Sequence, residues 1–375
     1  MQPDNTAPVI EMLSASTLGG GELVGIGLAE SLKDRGRTTA VWVPKKGAAF
    51  SESMSRGLKT RVVPYGRLRS SNLFLQLASL LQLEQSRRKQ KRGIFHIHEP
   101  YLYQSASRLF SGRSRVIAHV HIENPPKVFR WCFRRPPSCI ITCSKHLATR
   151  VRESLPESVA VNCNILAAPN AVDTGRFTPG DRADSRSLLN LPQGTCGVLM
   201  IANLAPHKGQ VTAIRALRNL LDNGRDVECW IAGTERKPNG YLSDLKSLAK
   251  KLDLADRVRF LGHCDNPETL LNACDILVLP STKEGLPLSI LEAQATKRPV
   301  IASPTAGIPE VITHGTTGFL IAHDDYRGYA KMIESLIISP GLYDEISNNA
   351  YTQIQQHHTW DSYVDRIIGI YDSLE

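Results

Sequence analysis

Glu284 and Glu292 are separated by seven residues, in a stretch whose other residues dictate where the two carboxylates go. The apolar run Ile276 to Leu279 is short and bounded by Asp275 and Pro280, as a buried parallel strand should be. Gly285 permits a tight turn, and Pro287 has the fixed φ and missing N–H that suit a first helical residue, so the pattern predicts a helix from Pro287 to Lys297. Its free N–H groups would face the carboxyl edge of a sheet, where an anion or a hydroxyl-rich ligand binds. One carboxylate stands before that helix and one inside it.

Two further strand patterns, residues 94–98 and 116–121, each end in His-x-His. Period-2 geometry puts His96 with His98, and His119 with His121, on one face. Two such pairs admit a metal-hydrolase reading with Glu99 or Glu123 as a further ligand, but no acid-rich motif completes the set, and no metal is expected. The plainer reading is histidines closing parallel strands at a cleft. A third candidate is the glycine run Gly19-Gly20-Gly21, which follows an apolar strand pattern from Val9 to Leu13. It lacks the third glycine of a dinucleotide fingerprint, no acid closes the second strand at Trp42-Val43-Pro44, and no Walker A lysine follows.

The elements that must position these groups alternate along the chain. Strand patterns at Val198 to Ile201, Val227 to Ala232, Val258 to Leu261 and Ile276 to Leu279 are separated by helical patterns at Val211 to Leu221, Leu242 to Leu252 and Glu268 to Ala273, as in a doubly wound parallel sheet. At 375 residues the chain suits two domains. Residues 174–194, polar and rich in Gly, Pro, Asp and Arg, are the expected linker between them. The eight cysteines form no C-x-x-C pair and read as reduced packing thiols.

The glutamate stretch, "PSTKEGLPLSILEAQATKRPVIAS", resembles the donor-binding signature of retaining nucleotide-sugar glycosyltransferases of the GT-B fold, family 4 type. The likeness continues in "GGGELVGIGLAESLKDRG", in "LAAPNAVDTGRFTP", in "ANLAPHKG", in Gly307-Ile308-Pro309-Glu310 and in Gly315 to Leu320, so it spans nearly the whole chain. It implies two facing Rossmann-like domains with a cleft between them: residues 1–173 on the acceptor side, 195–356 for the nucleotide-sugar donor, and 357–375 as a last helix crossing back. It assigns Glu284 to the hydroxyls of the transferred sugar and Glu292 to the nucleotide ribose, with backbone N–H groups from Gly285, Leu286, Pro287 and Leu288 facing sugar or diphosphate; proline contributes no such donor. His121, with His119 second, aligns with the histidine at the sugar, and Gly19-Gly20 with the pair that lets backbone approach donor phosphate or acceptor. Lys208 matches the lysine that grips the diphosphate. Asn203 stands where an arginine is expected and Ala171 where a glycine is usual. The implied reaction is retaining transfer without metal or cofactor, the nucleotide-diphosphate sugar being a co-substrate. Another GT-B chemistry, such as a sugar-nucleotide epimerase, or a non-catalytic nucleotide-sugar-binding relative are the alternatives.

Charge divides the chain. Residues 1–170 hold 25 Lys and Arg against 11 Asp and Glu, whereas residues 171–375 hold 20 against 25. A basic first half attracts acidic glycan, nucleic acid or anionic lipid, and no nucleic-acid motif accompanies it. Two segments concentrate the charge: Arg87 to Arg92, closing a helix pattern with Leu73, Leu77, Leu80 and Leu81 on one side, and Lys127 to Arg135, a Pro-bounded loop in which aromatics interleave with cations. Residues 1–7 are polar and the apolar run after them is too short for a leader, so the sequence predicts a cytoplasmic protein, peripheral on the inner membrane face, with a glycan or lipid-linked acceptor from envelope or lipopolysaccharide synthesis.

Overall fold

A computed structural model describes residues 6–65, 73–90, 93–110, 115–235 and 240–375. The chain divides into one unit of Met1–Asn170 with Asp361–Glu375 and another of Ala171–Trp360. In order, the first unit contains β1 (Val9–Met12), α1 (Gly20–Asp34), β2 (Thr39–Val43), α2 (Ala48–Ser55), β3 (Thr60–Val62), α3 (Leu73–Arg88), β4 (Ile94–Ile97), α4 (Pro100–Phe110), β5 (Arg115–Val120), α5 (Pro126–Cys132), β6 (Cys139–Thr142), α6 (Lys145–Ser154), α7 (Glu157–Ala160) and β7 (Asn164–Ala167). The second contains α8 (Arg182–Leu188), β8 (Cys196–Ile201), α9 (Gln210–Asp222), β9 (Val227–Ala232), α10 (Tyr241–Lys251), β10 (Val258–Gly262), α11 (Pro267–Ala273), β11 (Ile276–Leu279), α12 (Leu288–Ala295), β12 (Val300–Ala302), β13 (Phe319–Leu320), α13 (Tyr326–Ile338) and α14 (Pro340–His357). The last helix, α15 (Trp360–Asp372), belongs from Asp361 onward to the first unit.

Both sheets are parallel and doubly wound, in the orders β3-β2-β1-β4-β5-β6-β7 and β10-β9-β8-β11-β12-β13. Their central strands are apolar because helices cover both faces, and β1, β4, β6, β9 and β11 are buried at every residue. In such sheets the strand order reverses at one place, between β1 and β4 in the first unit and between β8 and β11 in the second. Ligands bind outside the carboxyl ends of the strands at that reversal.

Several expectations are corrected. The helix after Glu284 is α12, shorter than predicted: Pro287 is its cap in an extended conformation rather than its first residue, and Lys297 lies beyond the end with φ +57°. Residues 174–194 are not a free linker. They contain α8, packed on α11, whose Arg186 is fully buried: its guanidinium donates to the carbonyls of Ala273 (2.8 Å), Pro192 (2.7 Å) and Thr195 (2.7 Å) and meets Asp275 at 2.7 Å. Polar composition suggested a linker, yet a guanidinium with that many carbonyl partners fixes the segment to the second sheet. Residues 126–132 form helix α5 rather than a loop, since Pro126 sits in the first turn, where its missing N–H costs nothing, and Phe129 and Cys132 are buried beneath it. On α3 the leucines of the sequence pattern divide: Leu77 and Leu81 face outward with Phe74, Leu80 is half-buried, and Ser79 and Leu83 are the buried positions. None of the eight cysteines is in a disulfide, and six are buried.

Candidate active site

In the second unit two carboxyl-edge loops meet at the strand reversal. After β8 the chain makes a 3-10 turn, Pro206–Lys208, and Gly209 then adopts φ +82° before α9 begins. A Cβ on Gly209 would lie 2.0 Å from the carbonyl oxygen of Pro280 at the end of β11, so only glycine lets the two loops close. The Thr282 N–H donates to the His207 carbonyl (2.8 Å) across the same seam. That contact brings the ammonium of Lys208 to 2.7 Å from Oε1 of Glu284, both side chains mostly buried. On the far side of the turn, the Gly307 N–H holds the Gly285 carbonyl at 2.8 Å. Gly285 and Leu286 are buried, and Pro287 and Leu288 are partly exposed at the start of α12.

Glu292 is half-exposed on α12, and among the described residues no side chain is recorded as donating to its carboxylate. Desolvation pushes its pKa up to about 7 and nearby Glu268 adds to the rise, while Arg176 opposes it. Arg176 itself pairs with Glu268 at 2.8 Å. Asn203, partly exposed, contributes its carbonyl to the amide of Gln210 (3.0 Å), which anchors the loop rather than replacing a cation.

In the first unit the reversal between β1 and β4 carries a chain of buried polar groups. Glu11 stands in the middle of apolar β1, fully buried. Its Oε2 lies 2.6 Å from His98 Nε2 and 3.3 Å from His96 Nδ1, and Oε1 accepts from the Tyr371 hydroxyl of α15 at 2.9 Å. The Tyr371 oxygen is also 2.7 Å from His96 Nδ1. From there the rings pair across the sheet, His96 Nε2 to His119 Nδ1 at 3.1 Å and His98 Nδ1 to His121 Nε2 at 2.9 Å. Burial alone would raise the carboxyl, but the histidine neighbours and their hydrogen bonds outweigh it and hold Glu11 down at about 2. Burial pushes His96 down, and His119 and His121 well below the ordinary imidazole value, so these rings stay neutral. Two nitrogens remain without a partner, His119 Nε2 and His121 Nδ1.

Helix α1 covers this cluster with glycines. Gly19 caps the helix in an extended conformation and Gly20 is its first residue; a Cβ on Gly21 would lie 3.0 Å from the His121 ring, and one on Gly25 would lie 2.9 Å from His98 Nε2. His96, His98 and His119 have ring nitrogens close enough together to hold a cation. Both nitrogens of His96 and of His98 are, however, already engaged in the hydrogen bonds above, which makes the cluster a proton-ordered network rather than an open ligand set.

The sequence-predicted residues thus fall into two groups. Lys208, Glu284 and Gly285 to Leu288 come together in the second unit, with Asn203 and Glu292 on the neighbouring loop and helix; His119 and His121 stack together in the first, where Gly21 and Gly25 of α1 are the glycines that approach the histidine rings and Gly19 and Gly20 stand at the start of that helix. His96 and His98 enter the sequence reading only as a candidate metal pair and Gly21 only as part of the glycine run, while Glu11, Gly25 and Tyr371 are not among its site residues. A charged residue inside the apolar run Val9 to Leu13 was the available signal for Glu11, and glycines four apart in α1 were the signal for the close approach.

Two parallel Rossmann-like sheets, each with polar groups gathered where its strand order reverses, define a protein of the GT-B fold. Residues 181–353 match the family model described as glycosyl transferases group 1. Among curated relatives it is 30% identical over 214 residues to a D-inositol 3-phosphate glycosyltransferase of Actinosynnema mirum, covering 55% of this chain and 51% of that one. A second, from Catenulispora acidiphila, is 30% identical over 250 residues, covering 63% and 59%. The chain spans about half the length of the curated relatives it matches. Among solved structures, Anabaena HepE in complex with UDP-glucose superposes with a TM-score of 0.85 at 21% identity, covering 98% of this chain and 99% of that one. A sucrose-phosphate synthase from Thermosynechococcus elongatus gives 0.81 at 19%, covering 98% and 99%. Identities this low speak for the fold.

Proposed function

We propose that this chain is a retaining glycosyltransferase that moves a sugar from a nucleotide-diphosphate sugar to a hydroxyl of a glycan or lipid-linked acceptor on the cytoplasmic side of the membrane. The observation that carries the reading is the Lys208–Glu284 pair at the strand reversal of the second unit, 2.7 Å apart. A buried lysine there offers a point charge to a diphosphate, and its departure from Glu284 on ligand binding frees that carboxylate for sugar hydroxyls. Glu292, whose carboxyl has no recorded donor among the described residues, is suited to accept from the two hydroxyls of a ribose. The matched relatives act, by name, on D-inositol 3-phosphate, and HepE was solved with UDP-glucose, which supports a nucleotide-sugar donor and makes an acidic, hydroxyl-rich acceptor the natural class to try.

In the Mechanism this reading implies, attack comes from the face the leaving group departs, with the diphosphate helping to take the proton, and catalysis rests on positioning and on charge neutralisation by Lys208 and the start of α12. A metal and a cofactor are not needed for that chemistry, and the resemblance gives His121 contact with the sugar. The deciding experiment offers the purified protein UDP- and GDP-sugars with inositol phosphate, lipid-linked and glycan acceptors, in the presence and absence of EDTA. Acceptor-dependent release of nucleoside diphosphate, with the anomeric configuration of the sugar kept in the product, supports the proposal. Release without acceptor would indicate another GT-B chemistry, and binding without turnover a non-catalytic relative.

A further inference from the structure

The buried network in the first unit has a proton order that follows from one carboxylate. Glu11, ionised, can only accept. The single proton of Tyr371 points at Glu11 Oε1 (2.9 Å), so the Tyr371 oxygen is left as an acceptor, and His96 Nδ1, 2.7 Å from it and 3.3 Å from Glu11 Oε2, must carry the hydrogen. His96 is neutral and has no second proton, hence its Nε2 is bare and accepts from His119 Nδ1–H at 3.1 Å. His119 is neutral as well, and its one proton is spent. The nitrogen left over, Nε2, is one of the buried atoms without a partner.

We infer that Glu11 is a positioning residue that acts through His96 to hold His119 as the Nδ1–H tautomer, with a bare Nε2 at the carboxyl end of β5. This rests on the reading that His119 belongs to the sugar site. An imidazole so held cannot donate, so a ligand group that reaches it must bring its own proton. A sugar hydroxyl fits; a phosphate or carboxylate oxygen, itself an acceptor, would leave two lone pairs facing each other in a buried place. The carboxylate therefore selects for neutral hydroxyls at this point without touching the ligand.

The test is imidazole nitrogen spectroscopy on protein labelled with 15N-histidine, with the His119 signals identified by their loss in His119→Asn. In the wild type the expected result is a protonated Nδ1 and an unprotonated Nε2 on His119; a protonated Nε2 overturns the inference outright. In Glu11→Gln the amide can donate toward Tyr371, reversing the order of protons along the arm, and the Nδ1–H form of His119 should be lost wholly or in part. Its full retention in a folded Glu11→Gln protein overturns the role given to Glu11. Tyr371→Phe keeps the direct approach of His96 Nδ1 to Glu11, so His119 should keep its tautomer there, and a switch in this variant would assign the role to Tyr371 instead. If Glu11→Gln does not fold, the wild-type and Tyr371→Phe measurements still decide. None of these readouts needs turnover: a protein that transfers no sugar yet shows the expected tautomer refutes the proposed function alone.

Discussion

At the scale of single residues, the proposed function assigns binding and chemistry to different carboxylates of the second unit. Glu284 stands beside Lys208, where the sugar and diphosphate would react, and Glu292 lies a helical stretch away. Glu284→Ala should therefore lower kcat more than it weakens the donor, whereas Glu292→Ala should chiefly raise the donor KM; equal effects of both on KM alone would reject the assignment. Lys208→Ala should cost roughly 2–4 kcal/mol of transition-state stabilisation, as loss of a preorganised charge-stabilising donor does. Full activity in that variant would remove Lys208 from the site. Glu292 adds a pH dependence. Its carboxyl is held up at about 7 in the empty site, and a ribose diol requires the ionised form, so a proton must leave before UDP binds below that pH. UDP affinity should be level above pH 8 and fall about tenfold per unit below 7, with Glu292→Gln weaker and flat; titration calorimetry from pH 5.5 to 8.5 checks it. These residues were legible because a loop motif fixes type and spacing together. Glu11 and Tyr371 were not, because their partners come from strands and a helix far apart in the chain, and a single charge in an apolar run carries no address.

At the scale of elements, β8 to β11 and α9 to α12 of the second unit were readable from alternation, with boundaries displaced by a residue or two, while β12, β13, α13 and α14 were not read. α5 was missed because flanking prolines signal loops, although Pro126 lies where a helix tolerates it. α8 was missed because its anchor is a guanidinium rather than an apolar stripe. The elements of the first unit that carry histidines lend it a sensitivity to acid. His96, His119 and His121 are pushed below their ordinary value by burial in β4, β5 and the residue after it, so the unfolded chain binds protons near pH 6.5 that the folded unit refuses. Stability is thus full above that pH and falls as pH drops through it. With up to three protons taken up on unfolding, the slope approaches roughly 4 kcal/mol per pH unit. Below about 4.5 Glu11, whose folded value is about 2, adds to the loss. Since whole-domain stabilities are only about 5–15 kcal/mol, the loss between pH 6.5 and 4.5, at most about 8 kcal/mol at that slope, should remove much of the first unit's stability. Urea titrations at half-unit steps from pH 7.5 to 5 measure the slope, and a level stability between 6.5 and 5.5 would mean the imidazoles are protonated in the folded state.

At the scale of the whole molecule, the excess of positive charge in residues 1–170 asks for an acidic counterpart, and the fold narrows where it would sit. Among the described residues no helix is long and apolar enough to cross a membrane. Of the two segments expected at a membrane surface, the one at 127–135 offers less than its sequence suggests: Phe129 and Phe133 are core residues, and only Trp131 stands out among exposed Lys127, Arg130, Arg134 and Arg135. α3 offers more. Phe74, Leu77 and Leu81 follow one another at helical spacing on its outer face, 84%, 50% and 72% exposed, with Arg88 in the last turn and Lys89 just past it also exposed; Lys91 and Arg92 lie outside the described residues. Covering that stripe with lipid would add the burial of leucine and phenylalanine side chains, each about 1.5–3 kcal/mol when complete, to about 1 kcal/mol for each cation near an anionic leaflet. A soluble acidic acceptor would use the cations and ignore the leucines. The prediction is accordingly that the protein co-sediments with anionic vesicles, that raising the salt loosens it, and that Leu77→Ser with Leu81→Ser lowers the partition constant roughly tenfold, the effect of about 1.4 kcal/mol. Arg130, Arg134 and Arg135 changed together to Ser should matter less than the two leucines. Binding that disappears in salt and is indifferent to Leu77 and Leu81 would instead make the first unit a receiver of soluble acidic acceptors such as inositol phosphates, and the same variants would then leave transfer to those acceptors unchanged.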